Sequence, residues 1–150
     1  MQKVRNKIVI YTDGGARGNP GQAALGVVIQ DAEGHTIKSW GTAIGVATNN
    51  DAEYQAVVAA LQKAKALVGG KKAKKISVDM RMDSQLVCRQ LNGEYKIEEE
   101  RFFSYFMKIW NLKMDFDRVV FTHVPREKNR EADRMVNEAL DAPGARPLFQ

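Results

Sequence analysis

The chain reads as an α/β domain on a mixed five-stranded sheet, three hairpin-linked strands followed by strands alternating with helices that pack on the sheet. Three observations predict this. Its 150 residues make one domain, long enough to bury about two-thirds of the surface its unfolded form exposes. Hydrophobic residues are 44% and charged residues 27%, the proportions of a globular chain. Apolar runs of strand character fill the first third, and helical spacing takes over after Asn50.

The elements follow in order. Ile8 to Thr12 is a β-branched apolar run ending at Asp13 and a glycine-rich turn, which predicts a buried strand. Ala24 to Gln30 and Thr36 to Ala43 are two more strands joined by the turn Asp31-Ala32-Glu33-Gly34, so the first three strands form an antiparallel meander. Asn50 is the expected N-cap of a helix whose stripe Val57, Ala60, Leu61, Ala64 and Leu67 ends at Gly69-Gly70. Ile76 to Met82 alternates as a strand does, and Ser84 to Leu91 is a short helix closed by Asn92-Gly93. Glu98 to Leu112 reads as a helix opening on three acids, where the helix dipole favours them. Val119 to Thr122 is the fifth strand and Asn129 to Leu140 the last helix. The single domain has its core over about residues 7–141, with a tail over 142–150 in which Pro143 to Gln150 reads as frayed. Trp40, Trp110 and the stretch Phe102-Phe103-Tyr105-Phe106 read as core, with any exposed part of that stretch available to a partner.

Composition narrows the function classes. Lys plus Arg number 23 against 18 Asp plus Glu, a net +5 that favours a polyanionic partner without establishing one. The single cysteine, Cys88, excludes an internal disulfide framework and a cysteine-rich zinc site, and makes a reducing cytoplasm the expected location. No stretch approaches the roughly 20 apolar residues of a membrane span, and the N-terminal segment turns polar too soon for a signal peptide. No membrane contact is expected, and no obligate protein partner is evident; a monomer is the expected state.

Four acids stand where solvation alone does not account for them. Asp13 ends the most apolar strand, where a turn-forming role is the bland alternative. Glu53 stands four residues before Val57, on the core-facing stripe of its helix, where a charge needs a partner or the first-turn dipole. Asp83 ends a strand, with helix capping as its alternative, and Asp79 on the same strand face is a rival that spacing leaves open. Asp133 lies beside the apolar stripe near a helix start. Two acids at strand ends and two on the inner side of helix first turns, in a chain with two histidines, form a pattern. Clustered carboxylates repel and take up protons unless a cation compensates them. Oxygen-only ligands suit hard ions such as Mg²⁺ or Mn²⁺, and two such ions about 3.5–4 Å apart serve phosphoryl transfer.

Four strings, in order, closely resemble type 1 ribonuclease H over roughly residues 7–141: Thr12-Asp13-Gly14-Gly15-Ala16-Arg17-Gly18-Asn19-Pro20-Gly21, Thr48-Asn49-Asn50 with Glu53, Asp83-Ser84-Gln85, and Asn129 with Asp133. The resemblance implies the ribonuclease H fold, sheet order 3-2-1-4-5 with helices on both faces, and endonucleolytic hydrolysis of the RNA strand of an RNA–DNA hybrid, leaving 5′-phosphate and 3′-hydroxyl ends. It makes Asp13, Glu53, Asp83 and Asp133 the catalytic, Mg²⁺-binding set, two ions per site with Mn²⁺ as an alternative, and returns Asp79 to a strand or surface role. It puts Asn19, Asn49 and Gln85 on positions that contact the hybrid minor groove, and Thr48, with Asn49 beside it, where relatives hold a DNA phosphate. For Gly14 and Gly15 it adds to the tight-turn reading a close approach of backbone to the sugars.

The chain departs from the family pattern in three places. A basic, tryptophan-containing protrusion of some relatives is missing, because Leu91-Asn92-Gly93-Glu94-Tyr95-Lys96 leads straight to Ile97 and Glu98-Glu99-Glu100. Hybrid affinity is therefore expected to be lower and more salt-sensitive. The densest basic cluster, Lys71, Lys72, Lys74 and Lys75, reads as a solvated loop rather than a substrate grip, and an N-terminal hybrid-binding domain of some relatives has no counterpart. Finally, His123 stands ten residues before Asp133, the spacing of a family histidine. The string His123-Val124-Pro125-Arg126-Glu127 resembles a branch in which an arginine takes that role, so Arg126 is preferred and His123 kept second, with strand-end packing as its alternative. Two rivals stay open: a non-catalytic hybrid-binding module, marked by a lost carboxylate, and another metal nuclease on the same fold.

Overall fold

The computed structural model describes residues 6–142; the expected tail Pro143–Gln150 lies outside the described residues. Five strands form one sheet of order β3-β2-β1-β4-β5. They are β1 (Lys7–Gly18), β2 (Gly21–Asp31), β3 (Thr36–Ala47), β4 (Ser77–Met82) and β5 (Arg118–His123). The first three are antiparallel, and β4 runs parallel to both β1 and β5. Among the described residues, five α-helices complete the fold: α1 (Asn49–Val68), α2 (Gly70–Ala73), α3 (Gln85–Leu91), α4 (Phe103–Lys113) and α5 (Arg130–Asp141).

The strand period of two sorts β1 onto two faces. Ile8 and Ile10 join Val27, Ile29, Val57, Leu61, Val78 and Met80 in the main core beneath α1. The opposite face carries a much smaller cluster, Ala24, Val136 and Leu140, beneath α5. Helices thus lie on both faces, as expected, but with very unequal cores.

Several boundaries differ from the sequence reading. β1 does not stop at Thr12: it pairs with β2 from Ile8 to Gly18, so Gly14-Gly15 is strand and the reversal falls at Asn19-Pro20. The N-cap of α1 is Thr48, not Asn50. Thr48 and Asp51 form a reciprocal capping box, and Asp51 takes the first-turn position that the dipole favours. Glu53 is therefore two positions deeper in the helix than expected. The acid-rich Glu98–Glu100 does not open a helix; a 3₁₀ turn over Glu100–Phe102 precedes α4, because Phe102 turns inward to stack on Tyr54 at 5.1 Å. Phe103 and Trp110 are exposed rather than core. The segment Gly70–Ala73 is a short helix where a loop was expected. With it, the lysine cluster precedes β4, at the opposite end of that strand from Asp83.

Candidate active site

The parallel register of β1 and β4 aligns Thr12 with Met82, so Asp13, midway along β1, and Asp83, just past the end of β4, follow side by side where that pairing stops. Neighbouring strands lie about 4.8 Å apart, which brings the two carboxylates together by backbone geometry alone. Glu53 arrives from α1. A side-chain carbon on Gly14 would overlap the backbone of Ala52 and Glu53, so only glycine there lets α1 close onto the strand. The Gly14 backbone then lies beside the Glu53 carboxylate and offsets a small part of the upward shift on it. The direction in which Gly14 would carry a side chain faces α1, so its local requirement is helix packing rather than a turn.

α5 closes on the other face by the same device. A side-chain carbon on Gly26 would overlap the carbonyl of Ala132, and one on Gly41 the carbonyl of Met135. Gly26 pairs directly with Asp13 across β1 and β2, so this approach delivers Asp133, the neighbour of Ala132, to the same end of the sheet.

Asp13, Glu53 and Asp83 each offer a carboxylate oxygen, all within 4.8 Å of one another. Asp133 is exposed and outside that trio, but it lines the same cavity of about 390 Å³, and its charge contributes to raising Asp13. Asp13 and Glu53 are buried, at 8% and 6% exposure. Burial, reinforced by the charge of Asp83, pushes the Asp13 carboxyl up to about 7. Burial, with the charges of Asp13 and Asp83, holds the Glu53 carboxyl well above the ordinary carboxylate range. Glu53 Oε2 is buried without a hydrogen-bond partner. A desolvated carboxylate oxygen in that state costs free energy that a cation would offset.

Asp79 has a different life. It is ion-paired to Arg81 at 3.0 Å and accepts from the Thr122 hydroxyl at 2.9 Å, while Arg81 also donates to the Tyr11 hydroxyl at 2.7 Å. Its charge is balanced locally, away from the cavity. Capping of α3 is done by Ser84, whose hydroxyl accepts from the Val87 N–H, which leaves the Asp83 carboxylate to the cavity.

The remaining predicted residues divide into two groups. Gly14, Gly15, Asn49 and Arg126 line the cavity with the four acids; Asn19, Thr48, Gln85 and His123 do not. His123 is the last residue of β5 and exposed, whereas Arg126 stands in a 3₁₀ turn before α5. Asn19 and Asn49 tie the tip of β1 to the start of α1: Asn49 Oδ1 accepts from the Ala16 N–H at 2.9 Å and Asn19 Oδ1 from the Asn49 N–H at 3.0 Å. The Thr48 hydroxyl is engaged in its cap, with an Arg101 guanidinium nitrogen at 3.4 Å. Gln85, the first residue of α3, is exposed.

Two residues were not given roles from sequence. Asn129, fully buried, donates from Nδ2 to the Thr12 carbonyl at 2.9 Å and to Asp83 Oδ2 at 3.4 Å, so it links the end of β1 to a site carboxylate. Its place four residues before Asp133 was the available signal. Arg17 also lines the cavity. Alternation along β1 puts it on the face of Asp13 and Gly15, but a strand ending at Thr12 hides that alternation.

A five-stranded sheet of order 3-2-1-4-5 with acids side by side where the two central parallel strands stop pairing defines the ribonuclease H-like class. Comparison with known proteins agrees. A family described as "Reverse transcriptase-like" matches residues 11–139. The solved structure of LC11-RNase H1, isolated from compost by a metagenomic approach, is 50% identical, with a TM-score of 0.84 over 91% of this chain and 96% of that one. Ribonuclease HI of Halobacterium salinarum is 41% identical over 135 residues, and a bifunctional protein of Mycobacterium tuberculosis 39% identical over 137. This chain covers 90% and 91% of itself in those matches but spans only 65% and 36% of those two relatives. The chain belongs to the type 1 ribonuclease H family.

Proposed function

We propose that the protein hydrolyses the RNA strand of RNA–DNA hybrids as an endonuclease, leaving 5′-phosphate and 3′-hydroxyl ends. The observation that carries this reading is the trio Asp13, Glu53 and Asp83, two of them buried, with Glu53 Oε2 unpartnered. An all-oxygen, desolvated, like-charged set fits hard divalent cations. Asp13, Glu53, Asp83 and Asp133 would together hold such ions, two per site. Bound there, Mg²⁺ or Mn²⁺ supplies an activated water and stabilises the departing 3′-oxygen. A relative 48% identical, LC11-RNase H1, has been solved in complex with an RNA/DNA hybrid, which supports the same substrate here.

The other residues position and recognise. Asn129 holds Asp83 against β1. Arg126, at the cavity wall, offers a permanent charge to the scissile phosphate but is a poor proton shuttle. Asn19 and Asn49, their amide oxygens occupied, turn their NH₂ donors toward minor-groove acceptors. Gln85 contacts the same groove, and Thr48, backed by Arg101, receives a phosphate of the DNA strand.

The test is cleavage of matched RNA–DNA, RNA–RNA and DNA–DNA duplexes with Mg²⁺, Mn²⁺ or chelator. Metal-dependent cuts confined to the RNA of the hybrid are expected. Binding of the hybrid without cleavage would favour a non-catalytic module, and preferential cutting of branched DNA a different nuclease of this fold. Arg126→Ala should slow turnover at least about tenfold more than His123→Ala; the reverse ranking assigns the role to His123.

A further inference from the structure

Past the carboxylates, the cavity wall changes sign. Asp13, Gly15 and Arg17 occupy alternate positions on one face of β1. At about 3.4 Å per residue, Arg17 stands roughly 14 Å along the strand from Asp13. Between them Gly15 has no side chain, so the strand surface is low there, with Val136 beside it. Arg17 is held by Asp141, the last residue of α5, at 2.7 Å. Both partners are substantially exposed, at 42% and 66% of their side chains. An exposed pair of this kind contributes about 0–1 kcal/mol, too little to explain an arginine in the cavity by stability alone. The local arrangement is also unsatisfied: Gln22, directly opposite Arg17 across β1 and β2, has Nε2 buried without a hydrogen-bond partner.

We infer that Arg17 is a backbone-phosphate subsite, occupied when a nucleic-acid phosphodiester displaces Asp141. Guanidinium matches a phosphate in bidentate fashion as well as it matches a carboxylate. Asp141 then acts as a competing internal anion that lowers affinity. This rests on the hybrid-cleavage reading for its substrate, but not on the metal chemistry. The contact is remote from the scissile bond and neutralises one phosphate.

The experiment is fluorescence anisotropy in chelator, with RNA–DNA, RNA–RNA and DNA–DNA duplexes of one sequence, across a salt series. Arg17→Ala should weaken hybrid binding several-fold near 0.1 M salt and reduce the slope of log K against log salt by about 0.9. Asp141→Asn should tighten binding, about two- to five-fold, by removing the competitor. In the Arg17→Ala background, Asp141→Asn should change nothing. A purely structural ion pair predicts no opposite signs: both single variants would bind like the parent or both would weaken. That result, or an unchanged salt slope for Arg17→Ala on every duplex, overturns the subsite. Arg17-dependent binding with no hybrid preference would keep the subsite and sink the substrate reading beneath it.

Discussion

Glu53 and Asp133 come from helices on opposite faces of one sheet, and the two faces are built unequally. α1 lies on the main core, with Val57, Ala60 and Leu61 fully buried. α5 rests on Ala24, Val136 and Leu140. Glycine gives both helices a backbone-close approach, Gly14 for α1 and Gly26 with Gly41 for α5. The outcome for the acids differs. Glu53 is 6% exposed and strongly desolvated, while Asp133 is exposed. One face therefore supplies a buried carboxylate carried at a cost to folding, and the other an accessible carboxylate that costs the fold little. A site assembled this way has a desolvated half and a solvent-exposed half.

The largest effect that tests this contrast is loss of a carboxylate. Glu53→Gln and Asp133→Asn should each reduce hybrid cleavage by more than about a hundredfold. Their stabilities should separate: without divalent cations, Glu53→Gln is expected to unfold at a higher temperature than the parent, because it removes a buried like charge. Asp133→Asn should stay within about 0.5 kcal/mol. Equal stabilisation by both would erase the difference between the faces.

Next come the glycines. Gly14→Ala should cost at least about 1–3 kcal/mol in urea unfolding, because α1 is locked into the main core. Gly26→Ala should cost less, since α5 can shift on its small cluster. A larger loss for Gly26→Ala would mean that the minor face is the stiffer one.

The last effect is in pH. Asp13 titrates at about 7 in the fold against 3.8 ordinarily. Between those values the folded chain holds a proton that the unfolded chain has released, so its contribution is full below pH 4 and lost as pH rises through about 7. Glu53 is shifted in the same direction. Metal-free protein should therefore lose stability as pH rises from 4 to 7, as followed by thermal unfolding. Asp13→Asn should flatten that slope; an unaltered slope would place its origin elsewhere.

Much of this was legible in the sequence. The hairpin turn at Asp31 and the later alternation of strands with helices predict a mixed five-stranded sheet, the order 3-2-1-4-5 follows from the resemblance to ribonuclease H, and the apolar stripe of α1 exposes Glu53 as a charge facing inward. Other features were masked by local chemistry. Gly14-Gly15 has the composition of a turn, yet these positions are strand, and Gly14 answers to a helix thirty-odd residues away. Reading them as a turn ended β1 early and hid the face that Arg17 shares with Asp13. Composition also cannot separate a buried phenylalanine from its exposed neighbour: Phe102 is 3% exposed and Phe103 47%, decided by which one stacks on Tyr54. The balance that removes Asp79 from the site depends on Tyr11, Arg81 and Thr122, three residues from three strands.

On the proposed function, Asp13, Glu53 and Asp83 form a pocket whose repulsion a divalent cation would relieve. This proposal is tested most directly by thermal unfolding of the parent and of Glu53→Gln at neutral pH, in chelator and in Mg²⁺ or Mn²⁺. Cation should raise the parent's midpoint in proportion to log concentration once above its dissociation constant, and Glu53→Gln should start higher and gain little. A parent midpoint indifferent to either cation, with Glu53→Gln no more stable than the parent in chelator, would contradict it.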